Sequence, residues 1–194
     1  MEPGHESSAV LAIDETGVAL PISFYEPDAR TVARKLLGTL LVRHGPVPRI
    51  GRIVETEAYL GEHDMASHAR FGRTGRTEVM YGPPGRSYVY LIYGMYHMLN
   101  VVCAGEGDPQ AVLIRAIEPL VGIDHRVDGP GKLTRALEID RSHNAHPLTG
   151  PPLAIHPGDV CSEVVITPRI GIDYAGEWRD APLRFLAGRS AELS

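Results

Sequence analysis

The predicted fold is decided by the stretch SYVYLIYGMYHMLNVVC, residues 87–103. Residues 87–93 are rich in tyrosine, valine and isoleucine, which favour β-strands. Gly94 interrupts this run, and residues 98–103 form a second apolar run. We therefore predict two strands separated by a break at Gly94.

Outward from this stretch, four further apolar segments predict strands: residues 39–42, 50–59, 111–117 and 164–167, with a last short strand at 182–185. Pro27 and Asp28 open a helix whose apolar residues recur at helical spacing until Gly38. Residues 131–139 predict a second helix, and we expect residues 117–124 to continue as a short one. Helices and strands do not alternate regularly, so the pattern indicates an α+β fold with antiparallel strands and flanking helices.

Length and charge limit the classes of protein. A chain of 194 residues fits one domain, and we expect a loosely ordered tail at 1–20 before a single domain at 21–194. The formal net charge of −5 argues against nucleic-acid binding over the whole surface. We see no apolar run long enough for a membrane span and no basic signal-peptide region, so we expect a soluble intracellular protein.

A long polar, glycine-rich loop at residues 60–84 carries a local positive charge. Between residues 69 and 86 one glutamate, Glu78, stands against four arginines: Arg70, Arg73, Arg76 and Arg86. Loops of this length are often functional. The arginines could contact DNA phosphates, or they could be solvated.

Two carboxylates and a phenol follow one another at spacing two: Glu55, Glu57 and Tyr59. Side chains at this spacing share one face of a strand. The face could be solvated. Alternatively, a partly desolvated glutamate here could serve as a general base beside an aromatic wall.

Four of the eight tyrosines lie close together in the sequence, at Tyr88, Tyr90, Tyr93 and Tyr96. They could pack in a sheet, or they could form a stacking platform for nucleobases with a wedge at the strand end. The group of His63, Asp64 and His68 does not have a standard metal-ligand spacing, so we predict no metal site.

Taken together, these segments resemble the alkyladenine (3-methyladenine) DNA glycosylase family. The resemblance is carried by RIVETEAYLG at 52–61, ASHAR at 66–70, YVYLIYGMY at 88–96 with Asn100, VLIRAIEP at 112–119 and GPGKL at 129–133. It extends from about residue 24 to residue 185, and residues 71–84 depart from the better-known vertebrate members.

The resemblance implies a role for each matching residue. Glu57 takes the place of the water-activating carboxylate, and Arg115 that of the arginine that positions it. Tyr59, His68 and Tyr90 match the residues that sandwich a flipped base. Tyr93 matches the intercalating residue on a protruding β-hairpin of a curved antiparallel sheet. Asn100 matches the pocket asparagine that helps to exclude guanine, and the family needs no metal or other cofactor.

The expected function is therefore a monofunctional base-excision repair glycosylase. It would flip alkylated purines such as 3-methyladenine and 7-methylguanine out of double-stranded DNA and hydrolyse the glycosidic bond with water activated by Glu57. Whether it also removes hypoxanthine, a neutral base, stays open on the sequence. The two lysines, Lys35 and Lys132, lie in predicted helices, which argues against a lyase. We expect a monomer with no membrane contact, in the cytoplasm at the nucleoid of a bacterium or in the nucleus of a eukaryote.

Three other classes stay open on the residues alone. A non-catalytic damaged-DNA-binding protein would keep the tyrosines and the arginine loop, but it would gain nothing from Glu57 near phosphates. A tRNA-binding or formyl-transfer domain rests on fold analogy only, and a wedge of tyrosines suits a duplex better than a folded tRNA. A small-molecule hydrolase has no positive support in the sequence.

Overall fold

The structure, a computed structural model, describes residues 17–188. Residues 1–16 of the predicted tail at 1–20 therefore lie outside the described part of the chain. Leu20, at the end of that predicted tail, packs in the main hydrophobic core, and its amide donates to the Ile155 carbonyl at 2.7 Å. The described part of the chain is thus anchored to the sheet from Leu20 onward.

The first α-helix, α1, spans Ala29–Leu36. Asp28 caps it, because its carboxylate accepts from the backbone amides of Arg30 and Thr31. The buried residues are Ala29, Val32, Ala33 and Leu36, the face that the spacing predicted. This helix covers the core side of the sheet, where Thr56 of the sheet donates to the Ala33 carbonyl.

Nine strands form one curved antiparallel sheet. In chain order they are β1 Leu40–Arg43, β2 Arg49–Tyr59, β3 Ser87–Ile92, β4 Tyr96–Cys103, β5 Gln110–Val121, β6 Thr149–Gly150, β7 Leu153–His156, β8 Val164–Thr167 and β9 Arg184–Ala187. Their order in the sheet is β3-β4-β5-β2-β1-β7-β6, and β9 pairs with both β2 and β8. The predicted α+β class is confirmed.

The second α-helix, α2, spans Pro130–Ala136 and packs against β4 and β5. The prediction of a short helix at 117–124 is wrong, because β5 continues as far as Val121. Antiparallel pairing of Gly51 with Pro119 and of Ile50 with Val121 extends that strand. The short β6 and β7 were not predicted. No helix in the described part of the chain is long and apolar enough to cross a membrane.

An irregularity in β2 positions the functional side chains. The pairing of β2 with β5 shifts register between Ile53 and Glu55 and again between Glu55 and Thr56. Ile53 and Ala58 both pack in the main core, although they are five positions apart and an odd offset in a regular strand would place them on opposite faces. The bulge therefore turns Glu55 and Glu57 to the opposite face, as bulges near functional sites commonly do.

Candidate active site

A cavity of about 200 Å³ opens on the face of the sheet away from α1. Its lining includes all of the predicted catalytic, base-pocket and intercalating residues: Glu57, Tyr59, His68, Tyr90, Tyr93, Asn100 and Arg115. They come from four strands (β2, β3, β4 and β5), the β3–β4 turn and the 60–84 loop. Tertiary folding thus brings together residues that are up to 58 positions apart in the sequence.

Strand register explains how the sheet contributes to the cavity. Glu57 lies opposite Leu113 of β5, Leu113 opposite Asn100 of β4, and Asn100 opposite Tyr88 of β3. Directly opposed residues in a sheet project from the same face. This row of opposed residues therefore places the Glu57 carboxylate, the Asn100 amide and the Tyr88 ring along the same cavity.

Glu57 is fully buried and surrounded by hydrogen-bond donors. Its carboxylate accepts from the backbone amide of Ile170 at 2.8 Å and from the hydroxyl of Tyr59 at 3.0 Å. A guanidinium nitrogen of Arg115 lies 3.4 Å away. Burial raises the pKa of Glu57, while Arg115, the Ile170 amide and Tyr59 oppose the rise. The site therefore holds a desolvated carboxylate that three donors keep oriented.

Arg115 is shared between two carboxylates. Its Nε donates to Glu55 at 2.7 Å while its terminal nitrogen approaches Glu57. Glu55 also accepts from Arg184 of β9 at 2.6 Å. Two glutamates thus face two arginines in a largely buried network, and Glu55 anchors the arginine that contacts Glu57.

A second ion pair lies behind Tyr59. The guanidinium of Arg169 makes two hydrogen bonds to Asp64, at 2.5 and 2.9 Å, and both side chains are fully buried. The same guanidinium donates to the Ala58 carbonyl. Asp64 further accepts from the Leu60 and Ala66 amides. This network ties the start of the 60–84 loop to the segment after β8.

The wall opposite Glu57 is aromatic. The His68 ring lies 4.5 Å from the Tyr90 ring between centroids, and the Tyr88 and Tyr90 rings are 5.3 Å apart. Nδ1 of His68 lies 3.0 Å from the Tyr88 hydroxyl. Burial lowers the pKa of His68 to about 4, with help from the charges of Arg76 and Arg70. His68 is therefore neutral at physiological pH.

Tyr93 lies at the rim of the cavity, in the turn between β3 and β4. It is 84% exposed and has a φ of 52°, and Gly94 after it has a φ of 70°. A positive φ is uncommon for a bulky residue, so the turn holds this side chain outward at a local conformational cost.

The four arginines proposed for phosphate contact differ in their surroundings. Arg73 is exposed and pairs with Glu78, and Arg70 stacks on Phe71. Arg76 lies over the Tyr90 ring at 5.0 Å. Arg86 is half-buried and donates to the Ala145 carbonyl at 2.7 Å. Phosphate contact stays a prediction for all four.

Some residues of the site were not singled out from the sequence. Ile170 lines the cavity and donates its backbone amide to Glu57, and the exposed Tyr174 also lines the cavity. Arg169 follows Pro168 in a segment without a periodic pattern. No local signal marked these positions. The Asp64 carboxylate is bound by Arg169, and the described residues contain no cluster of three side chains that could hold a metal ion.

Comparison with known proteins identifies the class. The sequence model of the methylpurine-DNA glycosylase family matches residues 23–191. The class is that of the DNA glycosylases, hydrolases of DNA repair. Within it, the chain belongs to the methylpurine-DNA glycosylase family, which confirms the resemblance seen in the sequence.

Similar bacterial proteins cover nearly the whole chain. A Myxococcus xanthus protein is 52% identical over 180 residues, which are 90% of this chain and 93% of its own. An Anaeromyxobacter dehalogenans protein is 54% identical over 178 residues, 90% and 86% of the two chains. A Legionella pneumophila protein is 52% identical over 169 residues, 86% and 92%. All three are provisionally named as 3-methyladenine DNA glycosylases.

Proposed function

We propose that this glycosylase excises alkylated purines, among them 3-methyladenine, from double-stranded DNA after flipping the damaged nucleotide into the cavity. The observation that carries the proposal is the position of Glu57, fully buried and bonded by Ile170 and Tyr59 in a cavity whose opposite wall is aromatic. A base in a duplex is out of reach of such a carboxylate, so the nucleotide must leave the stack, at a cost of a few kcal/mol.

The wall of the cavity suits a positively charged base. Tyr59, Tyr90 and neutral His68 present electron-rich rings. A cationic alkylated purine between them would gain on the order of 0.5–2 kcal/mol per cation–π contact. The amide of Asn100 is held by its bond to the Tyr88 carbonyl at 3.1 Å, and a fixed amide can disfavour the wrong exocyclic group of a normal purine.

Glu57 is then the general base. Its pKa is raised by burial, which makes the carboxylate a better proton acceptor for water attacking the C1′ carbon of the sugar. Arg115 holds the carboxylate and balances its charge. The water oxygen forms a new bond to C1′ while Glu57 accepts the proton. The glycosidic bond breaks, and its electron pair leaves with the base. No adduct with a lysine forms. The exposed Tyr93 would fill the gap in the stack.

The test is base release from a duplex that carries one alkylated adenine, without added magnesium. Glu57→Gln should reduce release by about 10²–10⁴-fold, the usual contribution of a general base, while damaged-DNA binding persists in fluorescence anisotropy. The matched control is Glu26→Gln, an exposed carboxylate outside the cavity lining. Binding by the parent protein without release of any alkylated purine would instead favour a non-catalytic damage sensor.

A further inference from the structure

Arg184 lies beside the proposed catalytic carboxylate, although it is not among the residues that line the cavity. Strand β9 pairs with β2 in a register that sets Arg184 directly opposite Glu57. Directly opposed residues project from the same face of a sheet. The Nε of Arg184 donates to the carboxylate of Glu55, two positions before Glu57, at 2.6 Å. A residue from the last strand thus reaches the carboxylate next to the proposed general base.

One oxygen of Glu55 serves two arginines. The Nε–H groups of Arg184 and Arg115 reach the same oxygen, Oε1, at 2.6 and 2.7 Å. The donors of a guanidinium have a fixed planar geometry, so the bond from Nε to Glu55 restricts the orientation of the Arg115 plane. In that orientation a terminal nitrogen of Arg115 lies 3.4 Å from Glu57.

The four side chains balance in charge and are largely shielded from water. Glu55 and Glu57 contribute two negative charges when ionised, and Arg115 and Arg184 contribute two positive ones. No member of the group has a side chain more than 14% exposed. Charges in such a place interact more strongly than in bulk water, because less solvent screens them. Without Arg184, Arg115 alone would have to balance both carboxylates.

The other titratable groups around Glu57 do not supply a second positive charge. Burial raises the pKa of Tyr59 and Tyr90 and lowers the pKa of His68 to about 4, so all three are neutral at pH 7. The charge of Arg169 is balanced by its own buried ion pair. The remaining titratable side chains of the cavity are Tyr88, Tyr93 and Tyr174.

We propose that Arg184 is a positioning residue, which neutralises Glu55 so that Arg115 remains free to hold Glu57 in the ionised form that can accept a proton. The charge of Glu55 raises the pKa of Glu57, and the charge of Arg115 lowers it. Loss of Arg184 should therefore raise that pKa further. The consequence for base release rests on the proposed function, whereas the ionisation of Glu57 is a property of the free protein.

Carbon-13 NMR of the free protein, labelled at the glutamate carboxyl carbons, tests the proposal without any activity. The signal of Glu57 is assigned by its loss in Glu57→Gln. Arg184→Gln should move the titration of Glu57 to higher pH, because a compensating charge is lost. Arg184→Lys, which keeps the charge, should titrate closer to wild type. An unchanged or lower midpoint in Arg184→Gln would overturn the proposal.

A double variant shows whether Arg184 acts through Glu55. Glu55→Gln removes the negative charge but keeps an oxygen that can accept from both arginines, so it should move the titration of Glu57 to lower pH. In this background Arg184→Gln should raise the midpoint less than it does in wild type. Equal increases in the two backgrounds would mean that Arg184 acts on Glu57 directly, which contradicts the proposal.

Arg49→Gln is the matched control for the loss of a positive charge. Arg49 lies on the same strand as Glu57, and it pairs with Glu138 outside the group of four. Its substitution should leave the titration of Glu57 unchanged. A change as large as that in Arg184→Gln would attribute the effect to the total charge of the protein and would contradict the role of Arg184.

Base release from a duplex adds a readout that a purely structural role would not move. On the acid side of the pH profile, where the rate follows the ionised fraction of Glu57, Arg184→Gln should release an alkylated purine about three- to tenfold more slowly than wild type. On the alkaline plateau the two rates should agree. An equal loss at every pH would indicate a structural role instead. If wild type releases no base at any pH, the proposed function fails, while the NMR titrations still decide the role of Arg184.

Discussion

The guanidinium carbon of Arg169 lies 4.7 Å from the centre of the Tyr59 ring. Tyr59 in turn donates its hydroxyl to Glu57. Since Arg169 is fixed by two bonds to Asp64, a fully buried ion pair supports the aromatic ring that orients the proposed catalytic carboxylate. The stability of the fold and the geometry of the site are therefore coupled through this pair.

We expect Asp64→Asn and Arg169→Met each to lower the free energy of unfolding by about 3–5 kcal/mol, because each leaves an unpaired charge or donor in the interior. The double variant should lose less than the sum of the two. Urea unfolding measures all three values. Glu78→Gln, which breaks the exposed pair with Arg73, is the control and should cost about 1 kcal/mol or less. Additive losses would show that the two residues act independently.

Glu57→Gln should stabilise the protein at neutral pH. Burial raises the pKa of Glu57 above its ordinary 4.5, so the folded state favours the protonated carboxyl. This contribution to the free energy of unfolding is fully present below the pKa of Glu57 in the unfolded chain. It is lost as the pH rises through the pKa of Glu57 in the folded protein. At pH 7.5 the variant should have a Tm on the order of a few degrees above wild type, and near pH 4 the two should coincide. A lower Tm for the variant at pH 7.5 would contradict this.

Tyr93→Ala should impair the opening of the DNA stack without lowering the stability of the protein. The side chain is 84% exposed, so the free energy of unfolding should change by about 0.5 kcal/mol or less. Release from a duplex should fall by about tenfold, the equivalent of 1.4 kcal/mol of lost stabilisation of the opened stack. Release from a single strand, which needs no opening, should not change. Met95→Ala, in the same turn and 64% exposed, is the control. Equal losses of base release from the duplex and from the single strand would show that Tyr93 does not act as a wedge.

Substitution of Arg73 and of Arg86 should change the salt dependence of DNA binding to different extents. Arg73 is exposed, so Arg73→Gln should flatten the slope of log affinity against log salt concentration by about 0.9 if it contacts a phosphate. Arg86 is half-buried and held by the Ala145 carbonyl, so Arg86→Gln should cost about 1 kcal/mol of stability and should flatten the slope less than Arg73→Gln does. Anisotropy titrations at several salt concentrations measure the slopes. A larger change of slope for Arg86→Gln than for Arg73→Gln would contradict this ranking.

The sequence by itself determined the local features of this protein. Spacing of two predicted that Glu55, Glu57 and Tyr59 share a face, and the structure confirms it, since Glu55 and Glu57 both contact Arg115 and Tyr59 bonds Glu57. Helical spacing and the cap at Asp28 predicted α1 to within a residue or two. Strand and helix periods are properties of neighbouring residues, so local sequence encodes them.

Only the tertiary structure decided which distant groups meet. Arg169 and Asp64 are 105 positions apart, and the Ile170 amide is 113 positions from the carboxylate of Glu57 that it binds. The chain has many arginines, and spacing does not distinguish the one that becomes buried. The pairing that extends β5 through Val121 also depends on a strand more than 60 residues away. Such contacts form when the sheet assembles and buries polar groups, because buried polar groups need hydrogen-bond partners. This requirement applies to the whole fold, so no single segment of sequence encodes it.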